Sequence, residues 1–387
     1  MAIKKAIIHL GMPKAGSSSI QHILYNNASK LEEFGFKYLT EWGRNHVDIF
    51  HSIFEGNIKN QKTINTLLNV INNSDCETLV LSGEYFNTLY LDSTIKNINN
   101  FSKKYFNDNN IETTIIYYVR NPLTWITSWM SQILFSSGYL TKNADFFETA
   151  IKQYNGIFKL HEYFTDNVKV IKFEDACLDK NGFVANFLKT VKFPDDALMN
   201  IDMSNSKRNE SRCMEVIEFV HFVEAMEGNY SFFNYKRYVP SRFYRDIKSL
   251  RRIKGVKFDL PFQSKVELWE RFRETVKLLK ESLNIDYTDY KIKFGPSDVQ
   301  ETYKAETIQE FIDAFSGLNL IVQKHFLKFF EQKYMETAQE KFKQLFFVGS
   351  IPHAIYKRKY SFLGLLHARK NNMMRLTKKI IDTKRRN

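Results

Sequence analysis

The chain has 387 residues, 43% of them apolar and 15% aromatic, enough for one large core with an appendage or for two modest domains. No stretch reaches the roughly 18 uninterrupted apolar residues of a membrane span, and three widely spaced cysteines, Cys76, Cys177 and Cys213, point away from both a disulfide framework and a zinc site. The net charge of +13 is unevenly placed: residues 350–387 carry eleven Lys or Arg against Asp382 alone, residues 235–257 carry nine against Asp246 alone, and the rest of the chain is mildly acidic.

In chain order, residues 4–10 (K-K-A-I-I-H-L) form a short apolar run that reads as a strand. It begins within a few residues of Met1 and leaves no room for a signal peptide, so a reducing, cytosolic location is expected. The run passes into G-M-P-K-A-G-S-S-S and then into Ile20, Ile23, Leu24, Ala28 and Leu31, which recur at helical spacing. Further apolar runs at 78–82 (T-L-V-L-S), 113–119 (T-T-I-I-Y-Y-V) and 168–173 (V-K-V-I-K-F) predict three more strands, each separated from the next by room for a crossover helix. Near-continuous β-branched and aromatic strands with helices between them predict an α/β, three-layer fold around a parallel sheet, with ligands at the carboxyl ends of the strands.

Residues 240–257 read as an amphipathic helix or helical lid, with Phe243, Ile247 and Leu250 on one side and Arg245, Lys248 and Arg252 on another. The helical pattern continues through Trp269, Phe272, Leu278 and Leu279. After F-G-P at 294–296 the character changes. Residues 300–346 predict helices with a stripe of Leu318, Val322, Phe326, Phe330, Ala338, Phe342 and Phe346, and the basic tail follows. The expected organisation is an α/β domain over 1–295 and a helical extension with a basic tail over 296–387.

The glycine turn falls at the end of the first strand and the start of the first helix. Backbone N–H groups there lack intrahelical partners and the helix dipole is positive, so an anion is expected. Gly16 permits close backbone approach, and Ser17, Ser18 and Ser19 offer hydroxyl donors and helix-capping oxygens. A nucleoside triphosphate loop of this kind would follow Gly11 and Gly16 with Lys at position 17 and Ser or Thr at 18. Here position 17 is Ser, and the cation is Lys14, within the turn. A second motif follows strand 113–119, which ends in Arg120-Asn121-Pro122. Pro122 is placed to start a helix, and Ser128, eight residues after Arg120, falls on the face looking back to the strand end. A planar charged fork and a neutral donor so arranged make a second phosphate pocket.

Together, G-M-P-K-A-G-S-S-S and V-R-N-P-L-T-W-I-T-S resemble the sulfotransferases that use 3′-phosphoadenosine 5′-phosphosulfate (PAPS). The family's phosphosulfate loop, P-K-x-G-[ST]-[ST], is matched by Pro13 to Ser18, and its 3′-phosphate motif by Arg120, Pro122 and Ser128. H-L-G-M-P-K-A-G-S-S-S-I-Q looks closer to bacterial and carbohydrate sulfotransferases than to enzymes acting on small phenols and steroids. V-I-K-F-E-D-A followed by F-V-A-N-F-L resembles a later family segment, a strand, an acidic turn and a helix, and the resemblance extends to about residue 295.

The resemblance implies a P-loop-like fold and a PAPS donor, with no metal needed. Lys14, Ala15, Gly16, Ser17, Ser18 and Ser19 would hold the phosphosulfate, Arg120 and Ser128 the 3′-phosphate, and Lys207 and Arg208 in S-K-R-N would add nucleotide contacts. Glu84, at the end of L-V-L-S-G-E, stands beside the first strand's loop if those strands are neighbours; a Glu in a comparable position serves as general base in the carbohydrate enzymes. His51 and His46 are the rivals, since the cytosolic enzymes use His.

The acceptor would be a hydroxyl or amine, most naturally of a carbohydrate-containing molecule, and an acidic glycan or glycolipid if the basic 240–257 segment borders the cleft. The tail could lie on an anionic membrane, pack on a partner subunit or bind polyanions. Specific nucleic-acid binding is not expected, because the tail's few aromatic residues, Tyr356, Tyr360 and Phe362, do not alternate along its basic ones in the manner of a single-strand surface. Two other readings stay open: a kinase or nucleotide-binding protein with a degenerate P-loop, and a non-catalytic basic protein that binds membranes or polyanions.

Overall fold

The computed structural model describes residues 3–54, 61–84, 91–137, 145–164, 167–204, 213–227, 233–234, 239–240, 249–295 and 305–315, with single positions at 318, 323, 325, 328 and 329. The chain forms two compact units, Met1–Val322 and Gln323–Asn387. Every element named below lies in the first.

Five strands, β1 (Lys5–His9), β2 (Phe36–Tyr38), β3 (Thr78–Ser82), β4 (Glu112–Val119) and β5 (Val168–Lys172), form one sheet in the order β2-β3-β1-β4-β5. All its pairings are parallel. The helices between them are α1 (Ser17–Asn26), α2 (Ala28–Glu33), α3 (Val47–Phe54), α4 (Gln61–Asn73), α5 (Asp92–Tyr105), α6 (Pro122–Ser137) and α7 (Asp145–Phe164). After β5 come α8 (Phe173–Cys177), α9 (Phe183–Thr190), α10 (Met214–Glu227), α11 (Phe262–Arg271), α12 (Arg273–Leu283) and α13 (Ala305–Phe315).

The four strands expected from sequence are present, and the fold is the α/β class expected. β2 is an addition: three residues, F-K-Y, carry too little pattern to stand out. The expected strand at 168–173 ends at Lys172, and the acidic turn after it is the short helix α8, with Glu174 and Asp175 in its first turn.

β3 is buried at every position and β1 at all but Lys5, as strands covered on both faces must be, whereas edge strand β5 is half-buried. α5 shows why such segments are helical. Ile95, Ile98, Phe101 and Tyr105 fall on one face and are buried, while Asp92 in the first turn and Lys103 and Lys104 in the last complement the dipole.

The chain leaves β1 leftward, through α1 and α2 to β2, and leaves β4 rightward, through α6 and α7 to β5. Right-handed crossovers put those connections on opposite faces of the sheet. Packing agrees: α1 rests on α9, whereas α3, α5 and α7 pack in succession. The connections leaving neighbouring strands β1 and β4 thus part to opposite faces at the carboxyl ends, the place where open α/β sheets have a crevice that binds ligands.

Of the expected lid over 240–257, residues 241–248 lie outside the described residues. What is described includes a short 3-10 turn, Leu250–Arg252, with Leu250 buried. Within the expected helical stretch 300–346, Ala305–Phe315 form α13. Most of the remainder, including all of 350–387, lies outside the described residues.

Gly83, just past β3, has no room for a side chain. A Cβ built on it would stand 2.7 Å from Cδ2 of Phe50, 3.0 Å from the Val47 nitrogen and 3.1 Å from the His46 carbonyl carbon. Two of those atoms are backbone, so α3 itself would have to shift. Gly83→Ala should cost about 1–3 kcal/mol, read as a lower urea midpoint at unchanged slope. A variant as stable as the parent would show that α3 moves freely against β3.

Candidate active site

Hydrogen bonding between β1 and β4 continues past the strand end. The Leu10 N–H donates to the Ile116 carbonyl (3.1 Å), the Tyr118 N–H to Gly11 (2.8 Å) and the Met12 N–H to Tyr118 (3.2 Å). The chain then turns through three left-handed residues, Gly11, Lys14 and Gly16, with φ of 107°, 65° and 81°. Lys14 is not a glycine, so that conformation costs on the order of 1 kcal/mol and is held by its surroundings. Gly16 is the N-cap of α1. A Cβ there would lie 2.2 Å from Cε1 of Phe183, so its glycine is required by both space and φ.

The expected serine cap is absent, because Gly16 supplies no side chain and makes no side-chain cap bond. The Ser17 hydroxyl instead donates to the Met12 carbonyl at 3.1 Å and is buried, and the Ala15 N–H also donates to Met12 (3.2 Å). Ser19 and Ile20 donate their N–H groups to Gly16 at 2.9 and 3.3 Å. Among the described residues, the backbone N–H groups of Gly16, Ser17 and Ser18 have no protein acceptor. Three adjacent donors at the positive end of a ten-residue helix, with Lys14 in the same turn, are groups that can hold an anion.

Arg120 sits directly across the crevice. Its Nη1 donates to the Lys14 carbonyl at 2.6 Å and its Nε to Thr124 Oγ1 at 3.1 Å, while its guanidinium lies 5.5 Å from the centre of the Phe173 ring. The Arg120 carbonyl accepts from the Tyr154 hydroxyl. Asn121 caps α6, its Oδ1 accepting from the N–H groups of Leu123 (3.0 Å) and Thr124 (3.2 Å), so Pro122 does open that helix. Ser128 is half-buried one turn beyond Thr124 on the same helical face. The two sequence motifs therefore meet, joined by a hydrogen bond between their named residues.

Glu84 lies on the other side of the loop. β3 pairs with β1, and a Cβ on Gly11 would be 3.8 Å from the Glu84 Cα. Burial pushes its carboxyl above the ordinary 4.5, and the positive charge of Lys14 offsets this only in part.

The rival histidines differ from Glu84. His46 is buried, stacked on Tyr38 at 4.8 Å, with Nδ1 accepting from the Ser82 N–H at 3.1 Å; desolvation lowers its pKa to about 4. It is a core group that pins α3 to β3. His51 lies on α3, where Phe50 and not His51 abuts Gly83. Lys207 and Arg208 lie outside the described residues.

Several supporting residues carried no readable signal. Thr124 stood inside the quoted motif but was not singled out. Glu174 accepts the Asn121 N–H at 3.0 Å and the Tyr287 hydroxyl at 2.6 Å, tying the tips of β4 and β5 to the segment after α12. Among the described residues no cluster of three or more His, Cys, Asp or Glu could hold a metal ion, and no helix is long and apolar enough to cross a membrane.

No family model matches the chain, and no curated protein matches it. Among solved structures it is similar to a sulfotransferase from Alicyclobacillus acidocaldarius, at 11% identity and a TM-score of 0.31, over 54% of this chain and 87% of that one. A likeness at that level carries no argument about chemistry.

Proposed function

We propose that the chain is a PAPS-dependent sulfotransferase acting on a hydroxyl or amine of an acidic, carbohydrate-containing acceptor. The observation that carries the reading is the 2.6 Å bond between Arg120 and the Lys14 carbonyl, which sets two anion-binding motifs at adjoining strand tips. A donor with phosphate at both ends of its adenosine needs two pockets at once; ATP needs only one.

In this reading the N–H groups of Gly16, Ser17 and Ser18 hold the 5′-phosphosulfate and Lys14 neutralises charge that builds on the departing phosphate. Arg120 and Ser128 hold the 3′-phosphate. Glu84 takes the acceptor's proton as its oxygen or nitrogen bonds to sulfur and the S–O bond to the 5′-phosphate breaks, releasing adenosine 3′,5′-bisphosphate. Placement and electrostatics carry most of the acceleration in such a loose transfer. A carboxylate whose pKa is raised by desolvation is a stronger base than an ordinary one, whereas desolvation lowers the core histidine His46 to about 4, which favours Glu84. The basic segment 235–257 and the tail would draw an anionic glycan, glycolipid or membrane surface toward the protein.

Two measurements test this. In a thermal-shift assay, adenosine 3′,5′-bisphosphate at a hundredfold excess over Kd should stabilise the fold by about 2.7 kcal/mol. Stabilisation by ATP with magnesium and none by the bisphosphate would make the protein a nucleotide-binding enzyme of the kinase kind.

Glu84→Gln should lower transfer by about a hundredfold or more while bisphosphate affinity stays close to that of the parent. Transfer by the parent should fall as pH drops through an apparent pKa above the ordinary 4.5, because only the carboxylate accepts a proton. The stability sign is opposite. A folded pKa raised above the unfolded one means stability is greatest at low pH and is lost as pH climbs from the ordinary range through the raised value. Glu84→Gln should therefore be at least as stable as the parent at pH 7. Unchanged turnover in the variant would remove Glu84 as the base.

A further inference from the structure

Arg120 has more to do than its motif requires. Its Nη1 reaches the carbonyl of Lys14, the one non-glycine residue of the anion loop in the left-handed region, with φ of 65°. A residue there turns its carbonyl away from the path of an ordinary strand-to-helix turn. In this loop the carbonyl points at the β4 tip, where the guanidinium meets it.

The guanidinium is itself anchored from several sides. Its Nε donates to Thr124 Oγ1 and its face lies near the Phe173 ring, while the Arg120 main chain is held by the Tyr154 hydroxyl on its carbonyl and by its backbone N–H pointing at the Met12 sulfur at 3.4 Å. The next residue is held as well, through the Asn121 N–H on Glu174. Arg120 is therefore a fixed post against which the loop leans. Only two of its N–H groups are spent, on Nη1 and Nε. The others have no acceptor among the described residues and stay available to an anion.

Resting on the donor reading above, we infer that Arg120 is a positioning residue for Lys14, so that a side chain assigned to the 3′-phosphate also sets the conformation of the 5′ anion loop. One planar fork serves both pockets, gripping the loop carbonyl with one N–H and the 3′-phosphate with those that remain. Lysine cannot do both, since a single ammonium does not span Thr124 and the Lys14 carbonyl in one plane. Binding at the two ends of the donor is then coupled through the 2.6 Å bond.

The test uses a ligand that lacks the 3′ group. Adenosine 5′-phosphate engages only the loop, so an Arg120 acting on the 3′-phosphate alone would leave its affinity unchanged on mutation. Under the coupling, Arg120→Ala should weaken adenosine 5′-phosphate by about tenfold or more, the scale of a lost charge-assisted bond, and Arg120→Lys should recover only part of the loss. Ser128→Ala should weaken the 3′,5′-bisphosphate and leave adenosine 5′-phosphate untouched. Both affinities are read by calorimetry on the full chain.

Parental affinity of Arg120→Ala for adenosine 5′-phosphate would overturn the coupling and leave the donor reading standing. An equal loss of that ligand in Ser128→Ala would also overturn it, by showing general damage to the β4–α6 corner. If Arg120→Ala does not fold, Arg120→Lys carries the same expectation and the same reversal. A parent protein that binds adenosine 5′-phosphate with no preference for the bisphosphate would remove the donor reading and, with it, the coupling to a 3′-phosphate. Binding of neither would remove both.

Discussion

Two hydrogen bonds at Tyr118, one to the Gly11 carbonyl and one from the Met12 N–H, carry the β1–β4 ladder beyond the end of β1 and into the loop. Parallel strands have a fixed register, so once Tyr118 faces Gly11 and Met12, the residue two places on, Arg120, is delivered beside Lys14. No side chain needs to search for its partner. The backbone ladder fixes the separation of the two motifs, and the guanidinium closes what remains. A slip of one residue in this register would turn every β1 side chain to the wrong face of a sheet buried on both sides, so the whole core resists it.

The same burial that fixes the register shapes the chemistry. His46 and His9 lie in the core, and desolvation lowers them to about 4 and about 3, so both are neutral near pH 7 and act as packing and hydrogen-bonding groups. His9 holds Ser82 through Nδ1 at 2.8 Å, which anchors the last residue of β3 two places before Glu84. Glu84 feels the opposite consequence of one physical cause. Burial penalises whichever form is charged, so histidines are pushed down and the carboxyl up. The positive charge of Lys14 offsets part of that rise. A pair of this kind is costly to fold and useful to react with, which is where stability and activity commonly trade against each other.

Much of this was legible in the sequence, for identifiable reasons. Strands 78–82 and 113–119 are dense in β-branched or aromatic residues and buried on both faces, and such runs announce themselves. The turn between β1 and α1 was legible because Gly16 and Lys14 are local: a turn at a strand-to-helix junction depends on few neighbours. The adjacency of β1 and β3, on which Glu84 depended, could be posed only as a condition, since strand order is a tertiary property. The serine cap failed because close packing of Phe183 on position 16 requires a glycine in a left-handed conformation, and that moved the cap off the serines. Thr124, Tyr154, Glu174 and Tyr287 support Arg120 from four different segments, and no local pattern marks a residue whose role is set by another segment's arrival.

Charge divides the labour between range and precision. The +13 of the chain resides largely in two segments, 235–257 and 350–387, most of which is outside the described residues. Among the described residues, the positive character of the crevice comes from few sources: Lys14, Arg120 and the N–H groups at the start of α1. On the proposed reading, solvated charge of that kind is screened over about 8 Å at physiological salt and would act on how fast an anion arrives. The near ones are oriented dipoles and a fixed fork, which lose little to screening when desolvated and determine which anion stays. An anion that matches only the net charge gains from the first set, whereas one with phosphates at the right separation gains from both. On the proposed reading, selectivity between two anions of similar charge would therefore rest on the geometry that the Tyr118 hydrogen bonds impose on the loop and that the Arg120–Lys14 bond holds.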